Sequence, residues 1–355
     1  MKICSLYQVC CWKTVFVSEI AHFYLLQYFM QPLKLLTMIR KSIFIFALII
    51  LTKSLLAQHN DFAILSKDVT NFWEAIDNLK FSRDTSATFQ KLVIDRATDE
   101  FKIFIKKWNI KASDYTFQIK RYPKFYETLR ENTYKLINSQ DSIREVVKRF
   151  QKLYPNFKQA DICIAIGNFN TGGNIEIEGN RNLVYIGLEY HGLDTNTIIN
   201  ELSISTQDYV SRSNFYRTIV HELVHVQQYT HGKKVVKALS GDFLANRILK
   251  EGIPDFVSQL IVNHGNNGNY FNYGLKNENN LKIKIKQELW NKGSGDWFGG
   301  NVNLFVNHPR DLGYFMGAQI ARSYYNVNNL QLMDLTNIIE IKSLKKFIID
   351  SKYFE

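Results

Sequence analysis

The segment IVHELVHV, residues 219–226, is apolar apart from two histidines and one glutamate. Its pattern predicts a helix from about Ser213 to Tyr229 that runs through the core of the fold. Residues four apart on a helix return to one face, with an offset of about 40°. His221 and His225 therefore project side by side and can bind one metal ion.

Zinc is the metal that this histidine pair indicates. Zn²⁺ accepts imidazole nitrogens at about 2.0–2.1 Å, and a catalytic site keeps one position for water. Glu222 follows the first histidine and can face that water, so we expect it to act as the general base. A pair of surface histidines is the alternative, but on a buried segment it would leave polar groups inside the core. We expect one Zn²⁺ per chain.

Two residues compete for the place of the third metal ligand. His231 lies six residues after His225, where the metzincin proteases have their third histidine. Those enzymes break the helix with a glycine, and Gln228 occupies that position here. In a continuing helix, His231 points about 120° away from the ligand face. Glu251, within or beside a second predicted helix over residues 243–262, is the candidate that we favour.

The remaining pattern indicates an α+β fold, mostly helical with a small mixed sheet. Residues 58–158 have apolar positions at three- and four-residue intervals, which predicts an N-terminal helical portion. Residues 159–355 form the predicted catalytic portion. It begins with two β-rich runs, residues 161–167 and 182–189, and a turn-forming segment at residues 168–173.

The later part of the chain is rich in asparagine and glycine. Between residues 263 and 307 we predict loops with short strands, because the apolar positions show little helical periodicity. The alternation KIKIK at residues 282–286 indicates the solvent face of a strand. Asp311 is a plausible N-cap for a further helix that extends to Tyr324.

Residues 38–57 have the pattern of a secretory signal peptide, with a basic start and an apolar core at residues 42–51. Residues 1–37 mix polar and apolar side chains and make a poor membrane helix, so we interpret them as an upstream segment outside the translated protein. An uncleaved anchor is the alternative, because Lys53 interrupts the apolar run. We expect an exported protein, periplasmic or extracellular, that starts at Gln58 and has no stable membrane anchor.

The charge of the chain does not indicate nucleic-acid binding. The formal net charge of +11 falls to +6 without residues 1–57, which hold six basic and one acidic side chain. The remaining charges are interspersed, whereas a nucleic-acid-binding protein gathers basic residues into a patch or groove. We expect no nucleic-acid partner.

Two motifs together resemble a known group of enzymes. HELVHVQQ at residues 221–228, followed by EGIPDF at residues 251–256, resembles the gluzincin clan of thermolysin- and aminopeptidase-like zinc peptidases. More narrowly, the sequence is similar to a family of predicted secreted bacterial Zn-dependent proteases, which also contains relatives of gliding-motility envelope proteins. Two further segments match the family pattern, IGNFNTGG at residues 166–173 and PRDLGYFMG at residues 309–317. The resemblance spans residues 62–325.

The resemblance implies roles for two residues of the EGIPDF segment. Glu251 is the third zinc ligand. Asp255, one helical turn later, accepts a hydrogen bond from His221 and so orients the imidazole. Between His225 and Glu251 lie 25 residues, more than in the best-known members of the clan. We expect an inserted loop at residues 230–240 to absorb the difference.

The resemblance also implies how a substrate is bound. Gly172 and Gly173 would lie near an edge strand that receives an extended peptide by β-pairing. Tyr314 is a candidate hydrogen-bond donor to the oxyanion of the reaction, with a core or surface role as the alternative. The expected function is hydrolysis of a peptide or protein substrate. Two alternatives stay open: a catalytically silent cell-envelope protein, associated with motility or secretion, that keeps the fold for binding, and a zinc hydrolase that acts on other bonds.

Overall fold

A computed structural model describes residues 62–179, 181–263, 265, 268–293, 295–299, 309–328 and 335–355. They belong to one unit, Phe62–Glu355. The predicted signal peptide at residues 38–57 and the upstream segment at residues 1–37 lie outside the described residues. Within the described ranges, no helix is long and apolar enough to cross a membrane.

The N-terminal part of the described chain is a layer of helices. The described residues up to Leu153 form one short strand, β1 (Ile64–Leu65), followed by six α-helices. The helices are α1 (Lys67–Asn78), α2 (Thr85–Phe89), α3 (Asp99–Trp108), α4 (Ala112–Arg121), α5 (Pro123–Asn138) and α6 (Gln140–Leu153). Helix starts follow local chemistry: the Thr98 side chain accepts a hydrogen bond from Phe101 N, and Pro123 opens α5. Helices are present as predicted, except that the first element of the described residues is the strand β1.

A four-stranded mixed sheet packs beside these helices. Its strands are β1, β2 (Asp161–Ala165), β3 (Gly173–Glu178) and β4 (Arg181–Gly187), in the order β1-β2-β4-β3. β1 and β4 are parallel to β2, whereas β3 is antiparallel to β4 and forms one edge. The predicted β2 and β4 are confirmed. β3 was not expected, because its apolar residues alternate with polar ones over only a few positions.

The chain continues into a second, mostly helical group. Its described elements are α7 (Leu188–His191), α8 (Ile204–Ser211), α9 (Phe215–Thr230), α10 (Lys233–Leu239), α11 (Leu244–Val262), α12 (Asn269–Glu288), α13 (Leu312–Val327), α14 (Thr336–Ile339) and α15 (Leu344–Asp350). The predicted α9, α11 and α13 are confirmed. The expected loop at residues 230–240 contains the short helix α10. The molecule is an α+β protein, mostly helical with a small mixed sheet, as the sequence indicates.

The prediction of loops and strands between residues 263 and 307 was wrong for α12, a helix of 20 residues. Leu281 and Ile285 are buried in it, whereas Ile283 is 63% exposed. Leu281 and Ile285 are thus an i, i+4 pair of core positions on a helix, although the sequence around them alternates between isoleucine and lysine. Tertiary packing outweighs the low helix propensity of the asparagines, since α12 covers Phe315 of α13 with Phe271 and Gly274.

α11 and α13 cross at a pair of glycines. A Cβ atom added to Gly252 would lie 2.3 Å from the Cα of Gly317, and one added to Gly317 would lie 2.0 Å from the carbonyl oxygen of Ile248. Only glycine permits such a close approach of two backbones. Gly252 directly follows Glu251, so this crossing fixes the position of the candidate ligand.

We predict that Gly252→Ala lowers the free energy of unfolding by about 1–3 kcal/mol, because the new methyl group meets backbone atoms that cannot rotate away. The steric cost of the methyl group must be larger than this net loss, because alanine normally stabilises a helix by about 1 kcal/mol relative to glycine. Urea unfolding of both proteins measures it.

Gly265→Ala is the matched control, since Gly265 is exposed and its added Cβ would meet no atom within 4 Å. Its unfolding midpoint should stay near that of the unchanged protein. Equal midpoints for the two variants would contradict the close crossing.

Candidate metal centre

A cavity of about 590 Å³ lies between α9, α11, α13 and the edge strand β3. Asn214 caps the N-terminus of α9, and its side chain accepts a hydrogen bond from Arg217 N at 3.0 Å. The apolar residues of α9 enter the core, including Val220 and Val224, which are fully buried. This burial turns the polar face of the helix towards the cavity.

His221, His225 and Glu251 meet in this cavity. His221 Nε2 lies 3.1 Å from His225 Nε2, and Glu251 Oε2 lies 3.6 Å and 3.4 Å from these two nitrogens. All three can turn a ligand atom to one point, since these atoms lie within 4.8 Å of one another. Ligands at about 2.0–2.1 Å in a tetrahedron are separated by about 3.3 Å, so the three residues fit a zinc ion.

Gln228 orients one of the imidazoles. His225 Nδ1 lies 2.9 Å from Gln228 Oε1, an oxygen that can only accept. Nδ1 therefore donates to this oxygen, which leaves Nε2, the nitrogen on the Glu251 side, as the atom of His225 that would bind a metal. Such a partner behind a histidine ligand fixes both its tautomer and its direction.

The charges in the cluster influence one another. Burial disfavours charge on Glu251, but His225 and His221 outweigh this effect and hold its pKa well below the usual range. Burial likewise opposes protonation of His225, yet Glu251 raises its pKa above the usual value. The cluster therefore keeps its carboxylate ionised, which is the form that binds a cation.

Glu222 lies on the same helix but contacts β3. A Cβ atom added to Gly173 would lie 2.5 Å from Glu222 Oε1, so only glycine leaves room for this carboxylate. Burial raises the pKa of Glu222, and His225 and His221 oppose that shift only in part. A carboxylate with a raised pKa, directed at the edge strand, is suited to accept a proton.

The edge strand presents donors to the cavity. Gly187 N donates to Gly172 O at 3.0 Å, and hydrogen-bonded pairs alternate along an antiparallel ladder. The backbone groups of Gly173 and Ile175 therefore point outward from the sheet. Their carbonyl oxygens are already occupied, Gly173 O by Thr171 Oγ1 at 2.5 Å and Ile175 O by Lys107 Nζ at 3.0 Å.

His191 supports the beginning of this strand. Its Nε2 lies 2.9 Å from Gly172 O and its Nδ1 contacts Ser213 Oγ. Burial lowers the pKa of His191 to about 4, so the imidazole is neutral at physiological pH and donates through Nε2. A Cβ on Gly172 would lie 2.8 Å from both His191 Nε2 and the Tyr209 hydroxyl. Gly173 thus lines the cavity, and Gly172 packs beside it against the cavity residues His191 and Tyr209.

Tyr314 of α13 lies above the histidine pair, with its ring centroid 6.2 Å from that of His221. Burial raises the pKa of Tyr314 well above its usual value, and the Glu251 charge adds to this effect. The phenol therefore stays protonated and available as a hydrogen-bond donor.

Asp255 and His231 have other partners. Asp255 Oδ1 accepts from Arg217 Nη2 at 2.7 Å, so its expected hydrogen bond with His221 stays a prediction of the sequence. His231 ends α9, and its two ring nitrogens lie 2.8 Å from the carbonyl oxygens of Gln227 and Asn156. His231 is thereby directed away from the cluster.

Some residues of the site were missed in the sequence. Gln228 and Arg217 are recognisable by spacing, since they lie three residues after His225 and four residues before His221 on the same helix. Lys107 and His191 come from distant segments, and nothing in their local sequence indicates the cavity.

The chain was compared with known protein families, with curated proteins and with solved structures. No family model, no curated protein and no solved structure matches it. The resemblance of its HExxH and EGIPD motifs to the gluzincins therefore stays a prediction.

Proposed function

We propose that this chain is an exported zinc peptidase of the gluzincin type, with the zincin-like fold that this type implies. The observation that carries the proposal is the separation of 3.1–3.6 Å among Nε2 of His221, Nε2 of His225 and Oε2 of Glu251. Two imidazoles and one carboxylate are a donor set of catalytic zinc sites. Export is supported by the signal-like pattern at residues 38–57.

His221, His225 and Glu251 would hold the ion. When bound, zinc supplies a Lewis acid that polarises a carbonyl and lowers the pKa of water. Glu222 takes a proton from the attacking water on one of its carboxylate oxygens and passes it to the leaving amine. Its burial favours this role, because a raised pKa brings a carboxylate closer to the operating pH.

The peptide would lie along β3. The outward N–H groups of Gly173 and Ile175 donate to carbonyl oxygens of an extended chain, as in β-augmentation. Gly173 brings the peptide backbone to the Glu222 carboxylate, since no side chain lies between them. Tyr314, a half-buried and protonated phenol, donates to the carbonyl oxygen as negative charge develops on it.

The first test separates the two candidates for the third ligand. The unchanged protein should contain about one zinc per chain. Glu251→Ala should lose most of it, because only two ligands remain, whereas His231→Ala should retain it. Elemental analysis after dialysis measures the content. Zinc loss in His231→Ala alone would show that the metzincin-like arrangement is correct.

The second test concerns the partner of His225. Gln228→Leu should weaken zinc binding about 10–100-fold, because Nδ1 loses the acceptor that fixes the imidazole. Competition with a chromophoric chelator measures the affinity. Gln227→Leu is the matched control: its side chain bonds to Lys158 and Leu223 instead, so stability should fall while zinc affinity is kept. An equal loss of affinity in both variants would argue against the role of Gln228.

The third test concerns catalysis. Glu222→Gln keeps size and hydrogen bonding but removes the base, so peptide hydrolysis should fall by about two to four orders of magnitude with zinc content unchanged. A proteome-derived peptide library, digested and analysed by mass spectrometry, measures cleavage. Glu74→Gln, an exposed substitution beside Arg96, controls for the preparation.

Equal cleavage by unchanged protein and Glu222→Gln would reveal a contaminating protease. Absence of cleavage by the zinc-loaded, unchanged protein would contradict the peptidase and favour a binding role.

A further inference from the structure

Arg217 and Asp255 form a second contact between the helices that carry the ligand cluster. Arg217 lies one turn before His221 on α9, and Asp255 lies one turn after Glu251 on α11. Their guanidinium Nη2 and carboxylate Oδ1 are 2.7 Å apart. One helical turn is about 5.4 Å and an extended peptide rises about 3.3 Å per residue, so this pair lines the cavity about one to two peptide residues away from the ligand cluster.

Asp255 accepts a hydrogen bond from only one of the three nitrogen atoms of the Arg217 guanidinium, Nη2. Its second oxygen, Oδ2, accepts from Gln259 Nε2 at 3.1 Å and from the Tyr270 hydroxyl at 3.4 Å. The Arg217 side chain is 9% exposed, and its Nε is buried with no hydrogen-bond acceptor among the described residues. An arginine has five N–H donors in a fork that matches a carboxylate, so a buried fork bonded on one side is incomplete.

A second guanidinium lines the same end of the cavity. Arg212 Nη2 lies 2.6 Å from Asp311 Oδ2, and the Arg212 guanidinium stacks over Tyr270 at 4.6 Å and over Tyr209 at 5.1 Å. Its Nε is also buried without a hydrogen bond among the described residues, since Asp208 Oδ2 is 3.6 Å away. The aromatic rings hold this cation in place at the cavity wall.

We propose that Arg217, supported by Arg212, binds a carboxylate of the substrate within about two residues of the scissile bond. The assignment of this carboxylate to a peptide substrate rests on the proposed peptidase function, but the binding of a carboxylate at Arg217 does not require catalysis. A carboxylate in the cavity would accept charge-assisted hydrogen bonds from guanidinium N–H groups that Asp255 leaves unpaired, in a largely buried place where such bonds are strong. The substrate class is therefore peptides with an acidic group at this position.

Such a carboxylate has two sources, the C-terminus of a peptide or an aspartate or glutamate side chain. Four probes distinguish them: dansyl-Gly-Phe-Ala with a free C-terminus, its C-terminal amide, dansyl-Gly-Phe-Glu-amide and dansyl-Gly-Phe-Gln-amide. The first pair isolates the terminal carboxylate, and the second pair isolates the side chain.

Binding is measured by fluorescence anisotropy on the zinc-loaded Glu222→Gln protein, which does not consume the probes. We expect at least one of the two acidic probes to bind about 10-fold more tightly than its neutral counterpart. Because a carboxylate can also bind zinc directly, the measurement is repeated after chelation of the metal, with the fold checked by circular dichroism. The preference should survive.

Arg217→Gln, in the same Glu222→Gln protein, should reduce the preference for the acidic probe to less than about 3-fold. A purely structural Arg217–Asp255 pair would weaken the binding of acidic and neutral probes alike, and the ratio would not change. Arg130→Gln is the matched control, since Arg130 forms a bidentate ion pair with Asp77 and does not line the cavity.

Equal affinities within both probe pairs would overturn the inference, whether or not the variants fold. So would a preference that disappears with the metal and persists in Arg217→Gln, because the carboxylate would then bind the ion. If the unchanged protein hydrolyses no peptide but the Arg217-dependent preference is found, the peptidase function fails and the carboxylate site stands.

Discussion

Helices α9 and α11 lie antiparallel, and facing turns of the two helices carry groups of opposite charge or complementary ligand chemistry. One level pairs His221 and His225 with Glu251, and the next pairs Arg217 with Asp255. A buried charge is costly unless a partner compensates for it. A shift of one helix along the other would separate both sets of partners, so the packing of these side chains fixes the relative position of the two helices. The glycine crossing between α11 and α13 holds α11 from its other side. The position of every candidate ligand follows from this packing.

The site is assembled from segments that are far apart in the sequence. α9 and α11 provide the ligand cluster, β3 provides a backbone edge, and α13 provides Tyr314. The chain between α9 and α11 contributes α10, so the long spacing between His225 and Glu251 is absorbed by a short helix. Local packing, and not sequence distance, therefore decides which residues meet.

How much could be read from the sequence depended on whether the information was local. The HExxH helix and the argument against His231 follow from helical spacing. The resemblance to the gluzincin arrangement favours Glu251, and the structure places it in the cluster. β3 and α12 could not be predicted, because short alternation and asparagine-rich composition say little until the packing partners are known. The partner of Asp255 is a third such case: spacing placed it one turn after Glu251, but only the structure shows that Arg217 reaches it. Lys107 has no local signal at all, since it meets β3 through the tertiary fold.

The edge strand β3 has one further property. At Gly173 and Ile175 its outward carbonyl oxygens are covered by Thr171 and Lys107, so this part of the edge offers N–H groups without matching acceptors. Two copies of such an edge would pair less well with each other at these two residues, because the outward carbonyl oxygens of each copy already accept a hydrogen bond within that copy. The same backbone that could receive a peptide carbonyl thus disfavours pairing with a second copy of itself, and Lys107, which covers Ile175 O, is one of the residues that produce this asymmetry.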